Sequence, residues 1–166
     1  LVFTNLSPEH IESHGSFGNY KAAKLRLVKQ LAKSKKLNRL SIANTDNKHA
    51  FSFLVSTVEK NIGYSMGDVK ILSETQGSTI ISYKDTTITI PLPGKFNVLN
   101  ALAALTLSCE LGIPLDTAKR GIEGLTQIRG RVEKVDEGQN FTVIVDYAHT
   151  DDSLRKLYET FSSSRK

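Results

Sequence analysis

Several features that define membrane, secreted or disulfide-rich proteins are missing from this sequence of 166 residues. It has no tryptophan and a single cysteine, Cys109, so no internal disulfide can form. The longest largely apolar run, residues 101–107, is far shorter than the roughly 20 residues that span a bilayer. No basic segment followed by an apolar stretch opens the sequence. These absences predict a cytoplasmic protein with no membrane partner.

The composition is that of a globular protein with a substantial core, at 39% hydrophobic and 7% aromatic residues. The net charge of +5 is concentrated in one helical segment that interleaves leucines with cations, namely Lys21, Lys24, Arg26, Lys29, Lys33, Lys35, Lys36 and Arg39. Such a segment can bind nucleic acid, but it lacks the aromatic residues of a stacking platform. A solvated helix face opposite a buried one is therefore favoured, with no nucleic-acid partner.

Hydrophobic periodicity predicts an α/β fold with a mostly parallel sheet, flanking helices and a small antiparallel meander. We expect parallel strands at 1–4, 40–43 and 61–65, meander strands at 69–73, 78–83 and 86–91, and helices at 19–36, 48–56, 97–111 and 115–121. After Gly130, two more strands at 131–136 and 141–145 and a helix from about Asp151 indicate the start of a second, Rossmann-like unit. The predicted domains are therefore 1–129 and 130–166.

Two asparagines break the apolar character of the helix predicted at 97–111. Asn97 and Asn100 are three residues apart, so they share one helix face. An amide offers a donor and an acceptor, which suits the edge of an adenine ring. The alternative is that Asn97 is an N-cap and Asn100 a solvated amide.

Polar residues also follow the last predicted strand. Asp146 and His149 stand at its carboxyl end, where α/β folds bind ligands and an acid often accepts ribose hydroxyls. The alternative is that Asp146 caps the next helix and that His149 is an ordinary loop residue. Arg131, directly after Gly130, offers a fork of donors for a phosphate.

The first loop raises the question of a metal. His10 and His14 can ligate a divalent ion beside Glu9 and Glu12, but their spacing matches no known zinc signature. Lys24 follows two alanines that leave room around its amine. No G-x-x-x-x-G-K-[ST] or G-x-G-x-x-G segment is present to cradle phosphates.

In order along the chain, four segments resemble the motifs of the Mur ligases, which add amino acids to UDP-N-acetylmuramoyl peptides with ATP. They are FTNL with EHIESHG at 3–15, YKAAK at 20–24, PGKFNVLNA at 93–101, and GRVE with DYAHT at 130–150. The DYAHT form and the first loop are most similar to the third ligase, which adds diaminopimelate or lysine. The sequence departs from the motifs at Glu9 and Glu12, where the family has aspartates, at Ser13, where it has tyrosine, and at Asp151, where it has proline.

The resemblance implies roles for individual residues in binding ATP. It places Asn97 and Asn100 near the adenine, Arg131 at the phosphates, Asp146 at the ribose and His149 beside the nucleotide.

The resemblance also implies a magnesium site. Lys24 corresponds to a lysine that the family carbamylates, which converts a cation into a carboxylate-like Mg²⁺ ligand. His10 corresponds to a ligand of the same ion.

The implied reaction is phosphorylation of a substrate carboxylate by ATP, followed by attack of the incoming amine on the acyl phosphate. The implied partners are a UDP-N-acetylmuramoyl dipeptide and an amino acid, with a monomeric enzyme. The alternatives are a related folylpolyglutamate or cyanophycin synthetase and a non-catalytic nucleotide-binding module. Because the sequence lacks the phosphate loop, the UDP-binding N-terminal domain and the later part of the C-terminal domain of the family, we expect a fragment that is inactive by itself and binds ATP weakly.

Overall fold

Eight strands form three sheets in the computed structural model, which describes residues 1–9, 11–55, 57–125 and 127–162. The strands are β1 (Val2–Phe3), β2 (Leu40–Asn44), β3 (Lys60–Tyr64), β4 (Val69–Glu74), β5 (Thr79–Tyr83), β6 (Thr86–Ile90), β7 (Glu133–Val135) and β8 (Val143–Val145). The helices are α1 (Ile11–His14), α2 (Phe17–Lys33), α3 (Lys95–Glu110), α4 (Leu115–Glu123) and α5 (Asp151–Ser162). The predicted α/β fold class, with a parallel sheet and an antiparallel meander, is confirmed.

The parallel sheet has the order β1-β2-β3, so the central strand β2 has a neighbour on both edges. Residues 41–44 are all buried, as expected for a strand covered on both faces. Because the three strands run in the same direction, the segments that follow Phe3, Asn44 and Tyr64 meet at one edge of the sheet.

The meander β4-β5-β6 is antiparallel throughout, with one register shift between Ile71 and Ser73. Burial alternates along β5, where Thr79, Ile81 and Tyr83 face the core. Lys84 and Asp85 form the two-residue connection to β6, and both have positive φ angles of 48° and 58°. This geometry is the one that two-residue hairpin loops require, so the turn fixes the register of the two strands.

Helix α3 lies in the main core between the parallel sheet and the meander. Val98, Leu102 and Leu105 on this helix are fully buried, together with Ile42 from β2 and Ile81 from β5. The sequence correctly predicted a helix that is apolar on most sides. The packing fixes the position of the helix N-terminus, which carries the two predicted asparagines.

Two predicted helices differ from the structure. Helix α2 begins earlier than the predicted 19–36, because the Ser16 hydroxyl accepts the Asn19 amide at 3.1 Å and caps the helix. It also ends earlier, because the backbone of the C-cap residue Ser34 is extended. The helix predicted at 48–56 is wrong, since residues 48–55, the part of it that the structure describes, contain only one 3₁₀ turn (Ala50–Ser52). The side chain of Asn61 accepts from the Val55 amide and donates to the Val55 carbonyl, each at 2.7 Å, so this backbone is committed to a different conformation.

The chain after Gly130 forms its own small unit. Strands β7 and β8 pair with each other in an antiparallel hairpin, shorter than the predicted 131–136 and 141–145, and α5 follows. In the described part of the chain, none of the helices combines the length and apolar character needed to cross a membrane.

A histidine packs against α2, next to a second core cluster that includes Phe3, Ala50 and Phe53. The Nδ1 atom of His49 lies 3.3 Å from Nζ of Lys21, its ring packs 5.4 Å from that of Phe17, and its buried Nε2 has no hydrogen-bond partner among the described residues. Burial lowers the pKa of His49, and the charges of Lys21 and Lys48 lower it further.

The lowered pKa predicts a loss of stability in acid. Between the ordinary histidine pKa of 6.5 and the lower folded value, the unfolded chain binds more protons than the folded chain, so the free energy of unfolding falls as the pH falls through that window. Urea unfolding from neutral to mildly acidic pH should show a smaller decline for His49→Gln than for the wild type. The Lys21→Met variant should also decline less, because it removes one cause of the shift. Equal slopes in all three proteins would contradict this account.

Candidate functional site

A cavity of about 560 Å³ lies between the loop after β1, the first turns of α3 and the loop between β8 and α5. Five of the residues predicted from the sequence line it, namely Asn97, Asn100, Arg131, Asp146 and His149. These residues come from three separate segments of the chain, and only folding brings them together. The volume is within the range of small-molecule sites.

The first turns of α3 hold the two asparagines in different environments. Gly94 is the N-cap residue, with φ 93° and ψ 143°, so the alternative of Asn97 as N-cap is wrong. Asn97 is buried, and its Nδ2 donates to the Pro93 carbonyl at 2.8 Å, which fixes the turn before the helix. Asn100 is exposed and presents its amide to the cavity. Asn100 is therefore accessible to a ligand, whereas Asn97 supports the shape of the site.

Asp146 ties together two loops that border the cavity. Its Oδ2 accepts from the Val132 amide at 2.8 Å and its Oδ1 from the Ala148 amide at 2.7 Å. Thr150 and Ser153 exchange the hydrogen bonds that open α5, so the alternative of Asp146 as the helix cap is wrong. Each carboxylate oxygen keeps a second acceptor position, which is available to a hydroxyl group of a ligand.

An exposed aromatic ring connects the arginine and the histidine. Tyr147 is 66% exposed, and the Arg131 guanidinium carbon lies 5.1 Å from its ring centroid. The ring of His149 contacts the same tyrosine edge-on at 5.0 Å. Arg131 forms no ion pair with the acidic side chains that the structure describes, so its charge can meet an anion at the cavity.

His149 also links the last loop to the first. Its Nδ1 lies 2.8 Å from the Tyr147 carbonyl, and its Nε2 lies 3.7 Å from Oε1 of Glu9. Nδ1 donates to the Tyr147 carbonyl when it carries a hydrogen, and the contact of Nε2 with Glu9 is an ion pair only when Nε2 carries one as well. Glu9 lines the cavity as well, so this contact closes one side of it.

A second cavity of about 500 Å³ adjoins the first and extends along the carboxyl ends of the parallel strands. Asn5, Phe96 and Asn100 line both cavities. The second cavity is also lined by Asn44 and Asp46, which lie directly after the strand predicted at 40–43 and were not predicted as site residues. Their position after a buried parallel strand is the signal that identifies them, because ligands collect at that edge.

Polar side chains at this edge are held by the backbone around them. Asn44 donates to the Thr4 carbonyl at 3.0 Å, and Asp46 accepts from the Met66 amide at 2.8 Å. Burial raises the pKa of Tyr64 to about 12, with a smaller contribution from Asp46, so the phenol is neutral at physiological pH. These contacts keep the three strand ends in a fixed arrangement below the cavity.

Of the two predicted metal ligands, Lys24 is not brought into this group. Lys24 is exposed on α2, with Nζ 5.5 Å from the Tyr20 ring centroid, and it does not line either cavity. His10 lies outside the described residues. Across residues 1–9, 11–55, 57–125 and 127–162, no cluster of three histidine, cysteine, aspartate or glutamate residues is arranged to hold a metal ion.

The sequence is similar to a known protein family and to characterised relatives. Residues 1–108 match the family described as Mur ligase middle domain. The chain is 38% identical over 170 residues to the UDP-N-acetylmuramoyl-L-alanyl-D-glutamate–2,6-diaminopimelate ligase of Bacillus cereus, covering 96% of this chain and 35% of the relative. It therefore spans about a third of the length of that relative.

Solved structures share the fold. The crystal structure of MurF from Acinetobacter baumannii superposes with a TM-score of 0.81 at 18% identity, covering 99% of this chain and 37% of that one. The MurF ligase of Thermotoga maritima in complex with ADP superposes with a TM-score of 0.71 at 20% identity, covering 97% of this chain and 38% of that one.

Proposed function

The chain belongs to the Mur ligase family, and we propose that it supplies the adenosine-binding part of the ATP site of an amide ligase. The proposed reaction adds an amino acid, meso-diaminopimelate or L-lysine, to UDP-N-acetylmuramoyl-L-alanyl-D-glutamate. The observation that carries the proposal is the single cavity that collects Asn97, Asn100, Arg131, Asp146 and His149. The relative named as a diaminopimelate ligase supports the choice of substrate.

The described residues fit the nucleoside part of ATP. The exposed Asn100 amide can pair with the donor and acceptor edge of adenine, while Asn97 holds the turn beneath it. Asp146 keeps acceptor positions for ribose hydroxyls although both oxygens already bind backbone amides. The Arg131 guanidinium, held against Tyr147, supplies positive charge for the phosphates.

In the proposed reaction, ATP phosphorylates a substrate carboxylate, which gives ADP and an acyl phosphate. The amine of the incoming amino acid then attacks the acyl carbon, loses a proton and expels inorganic phosphate to form the amide. The contribution of this chain is positioning of the nucleotide by Asn100 and Asp146 and electrostatic stabilisation by Arg131. His149 supports the loop that carries these groups, through its contact with Tyr147.

The magnesium site stays a prediction for Lys24 and His10. As an ammonium group, Lys24 is not a metal ligand, and carbamylation would be needed to make it one. The described residues do not by themselves assemble a magnesium site.

We also propose a domain boundary near Gly130, with residues 1–129 in the central domain and 130–166 at the start of the next. Two features support it. The hairpin of β7 and β8 forms a sheet of its own, separate from the other two sheets of the described residues. Gly130 has a positive φ of 67°, which suits a turn between units.

Photolabelling with azido-ADP tests the proposed site even if affinity is low. We expect labelling of peptides that contain Asn100 or residues 146–149, with competition by ADP and AMP and none by UMP. Loss of one amide hydrogen-bonding group in Asn100→Ala should reduce labelling by about tenfold.

The Asn140→Ala variant is the matched control, because Asn140 is also exposed but lies in the β7–β8 hairpin away from the cavity. Its labelling should equal that of the wild type. Labelling that maps elsewhere, or that UMP removes as well as ADP does, would reject the adenosine site.

A further inference from the structure

The distribution of charge along the chain is strongly uneven. Between Glu12 and Asp46 the sequence has eight lysines and arginines and no acidic residue. These eight cations exceed the net charge of +5 for the whole chain, so the remainder is net acidic. A segment of one sign this long produces a local field that favours an anionic partner.

Five of these eight cations lie along one surface of α2 and the loop after it. Arg26, Lys29 and Lys33 are exposed and spaced by three and four residues, so they form one stripe along the helix. Lys35 and Lys36 extend the stripe into the loop. We call these five cations, together with Leu37, the basic face.

The basic face lies away from the candidate site. Lys24 is two residues before Arg26, a spacing that puts the two side chains on different sides of the helix. None of the residues of the basic face lines the two adjoining cavities. Its five cations form no ion pairs with acidic side chains in the part of the chain that the structure describes. Their charge is therefore available to a partner.

A leucine at the end of the stripe favours one class of anionic partner, a lipid surface, over a nucleic acid. Leu37 is 85% exposed, beside Lys35 and Lys36. The loop that carries it is anchored, because the Arg39 guanidinium donates to the carbonyls of Ala32 and Ser34 at 3.0 and 3.2 Å. A fixed apolar side chain among cations matches a lipid surface, where acyl chains lie beneath anionic headgroups. The face offers no aromatic ring for stacking on nucleic-acid bases.

We propose that the basic face binds the surface of an anionic membrane, with the cations at the headgroups and Leu37 in the interfacial layer. This peripheral contact revises the expectation of no membrane partner that the sequence alone favoured. It requires no spanning helix and leaves the cavity at the strand ends accessible. Because it is electrostatic, it weakens as salt shortens the Debye length from about 10 Å at 0.1 M.

Co-sedimentation of the chain with phosphatidylcholine vesicles, with and without phosphatidylglycerol, tests the proposal. We expect binding only to the vesicles that contain phosphatidylglycerol, with loss at high salt. The triple variant Arg26→Gln, Lys29→Gln, Lys33→Gln should bind about 100-fold more weakly, since each cation near an anionic surface contributes about fivefold. No binding to anionic vesicles at low salt would overturn the proposal.

A charge-matched control separates the basic face from net charge. The triple variant Lys70→Gln, Lys84→Gln, Arg155→Gln removes three exposed cations from other elements, and its binding should remain within about twofold of the wild type because the removed charges lie outside the basic face. Equal losses in both triple variants would show that net charge alone drives binding, which would also overturn the proposal. Circular dichroism should show the same helical content in all proteins, because every substituted side chain is exposed.

Leu37→Gln decides between a membrane and a nucleic acid. This variant should weaken vesicle binding severalfold and leave any binding to a DNA duplex unchanged. If the chain instead binds the duplex as tightly as the vesicles and Leu37→Gln affects neither, the basic face is a nucleic-acid surface and the membrane proposal fails.

Discussion

Replacing Gly94 with alanine should lower the free energy of unfolding by about 3 kcal/mol, which corresponds to roughly 10 °C in the melting temperature. Gly94 has φ 93° and ψ 143°, a conformation that side chains with a Cβ rarely adopt. A Cβ at this position would lie 2.7 Å from Thr160 Oγ1 and 2.9 Å from Phe96 Cε1. The loss combines backbone strain with the displacement of α5 from the turn before α3. Thermal and urea unfolding monitored by circular dichroism measure both quantities.

Two further variants separate these contributions. Gly77→Ala is the matched control, because a Cβ there has no neighbour within 4 Å and its φ is not positive, so its effect should stay within about 0.5 kcal/mol. Adding Thr160→Ala to Gly94→Ala should recover the part of the loss that comes from the clash with Thr160, while the clash with Phe96 and the backbone strain remain. If Gly94→Ala and Gly77→Ala were equally stable, α5 would not pack on the turn as the structure has it.

Replacing Asp146 with alanine should reduce azido-ADP labelling by at least about tenfold and destabilise the chain by about 2 kcal/mol. The carboxylate holds the backbone amides of Val132 and Ala148, so its removal frees both loops at once. It also removes the proposed acceptor for the ribose hydroxyls. Labelling yield and urea unfolding of the same preparations report the two effects.

The control for this variant is Asp136→Ala. Asp136 also accepts a backbone amide, from Gly138 at 3.2 Å, but it lies in the hairpin turn away from the cavity. The Asp136→Ala variant should therefore be labelled almost as strongly as the wild type. Asp146→Asn keeps one acceptor oxygen and should show intermediate labelling, because its amide group can satisfy only one of the two backbone donors. Full labelling in Asp146→Ala would show that this residue has no part in nucleotide binding.

The regular elements could be predicted from the sequence because local chemistry and burial agree there. In β5, every second side chain (Thr79, Ile81 and Tyr83) faces the core. The predicted bounds of the three meander strands therefore agree with the structure to within a residue or two. The helix predicted at 48–56 is wrong because local sequence and tertiary contacts disagree there. A helix-compatible stretch is overridden by Asn61, which lies just beyond the predicted helix and whose side-chain amide binds the Val55 backbone. The periodicity of residues 48–56 does not by itself contain that information.

The candidate site also combines features that local sequence predicts with features that depend on contacts elsewhere in the chain. Asn97 and Asn100 follow from helical spacing, but their different roles depend on the Pro93 carbonyl, which captures only Asn97. Asn44 and Asp46 look like an ordinary polar turn in the sequence, and only the parallel pairing of β1, β2 and β3 puts them at a cavity. That Arg131, Asp146 and His149 meet Asn100 likewise depends on long-range packing.

Because the cavity draws Asn100 from α3 and Asp146 from the loop beyond β8, it joins parts of the chain that are far apart in sequence. A ligand that contacts both acts as a reversible cross-link. In the unfolded chain, holding these two points together would require closing the long intervening loop, at a cost in chain entropy. Folding has already brought them together, so the ligand binds the folded chain selectively. Occupancy of the cavity would then stabilise the segments on both sides of Gly130 as a unit, and increasingly so as the ligand concentration rises.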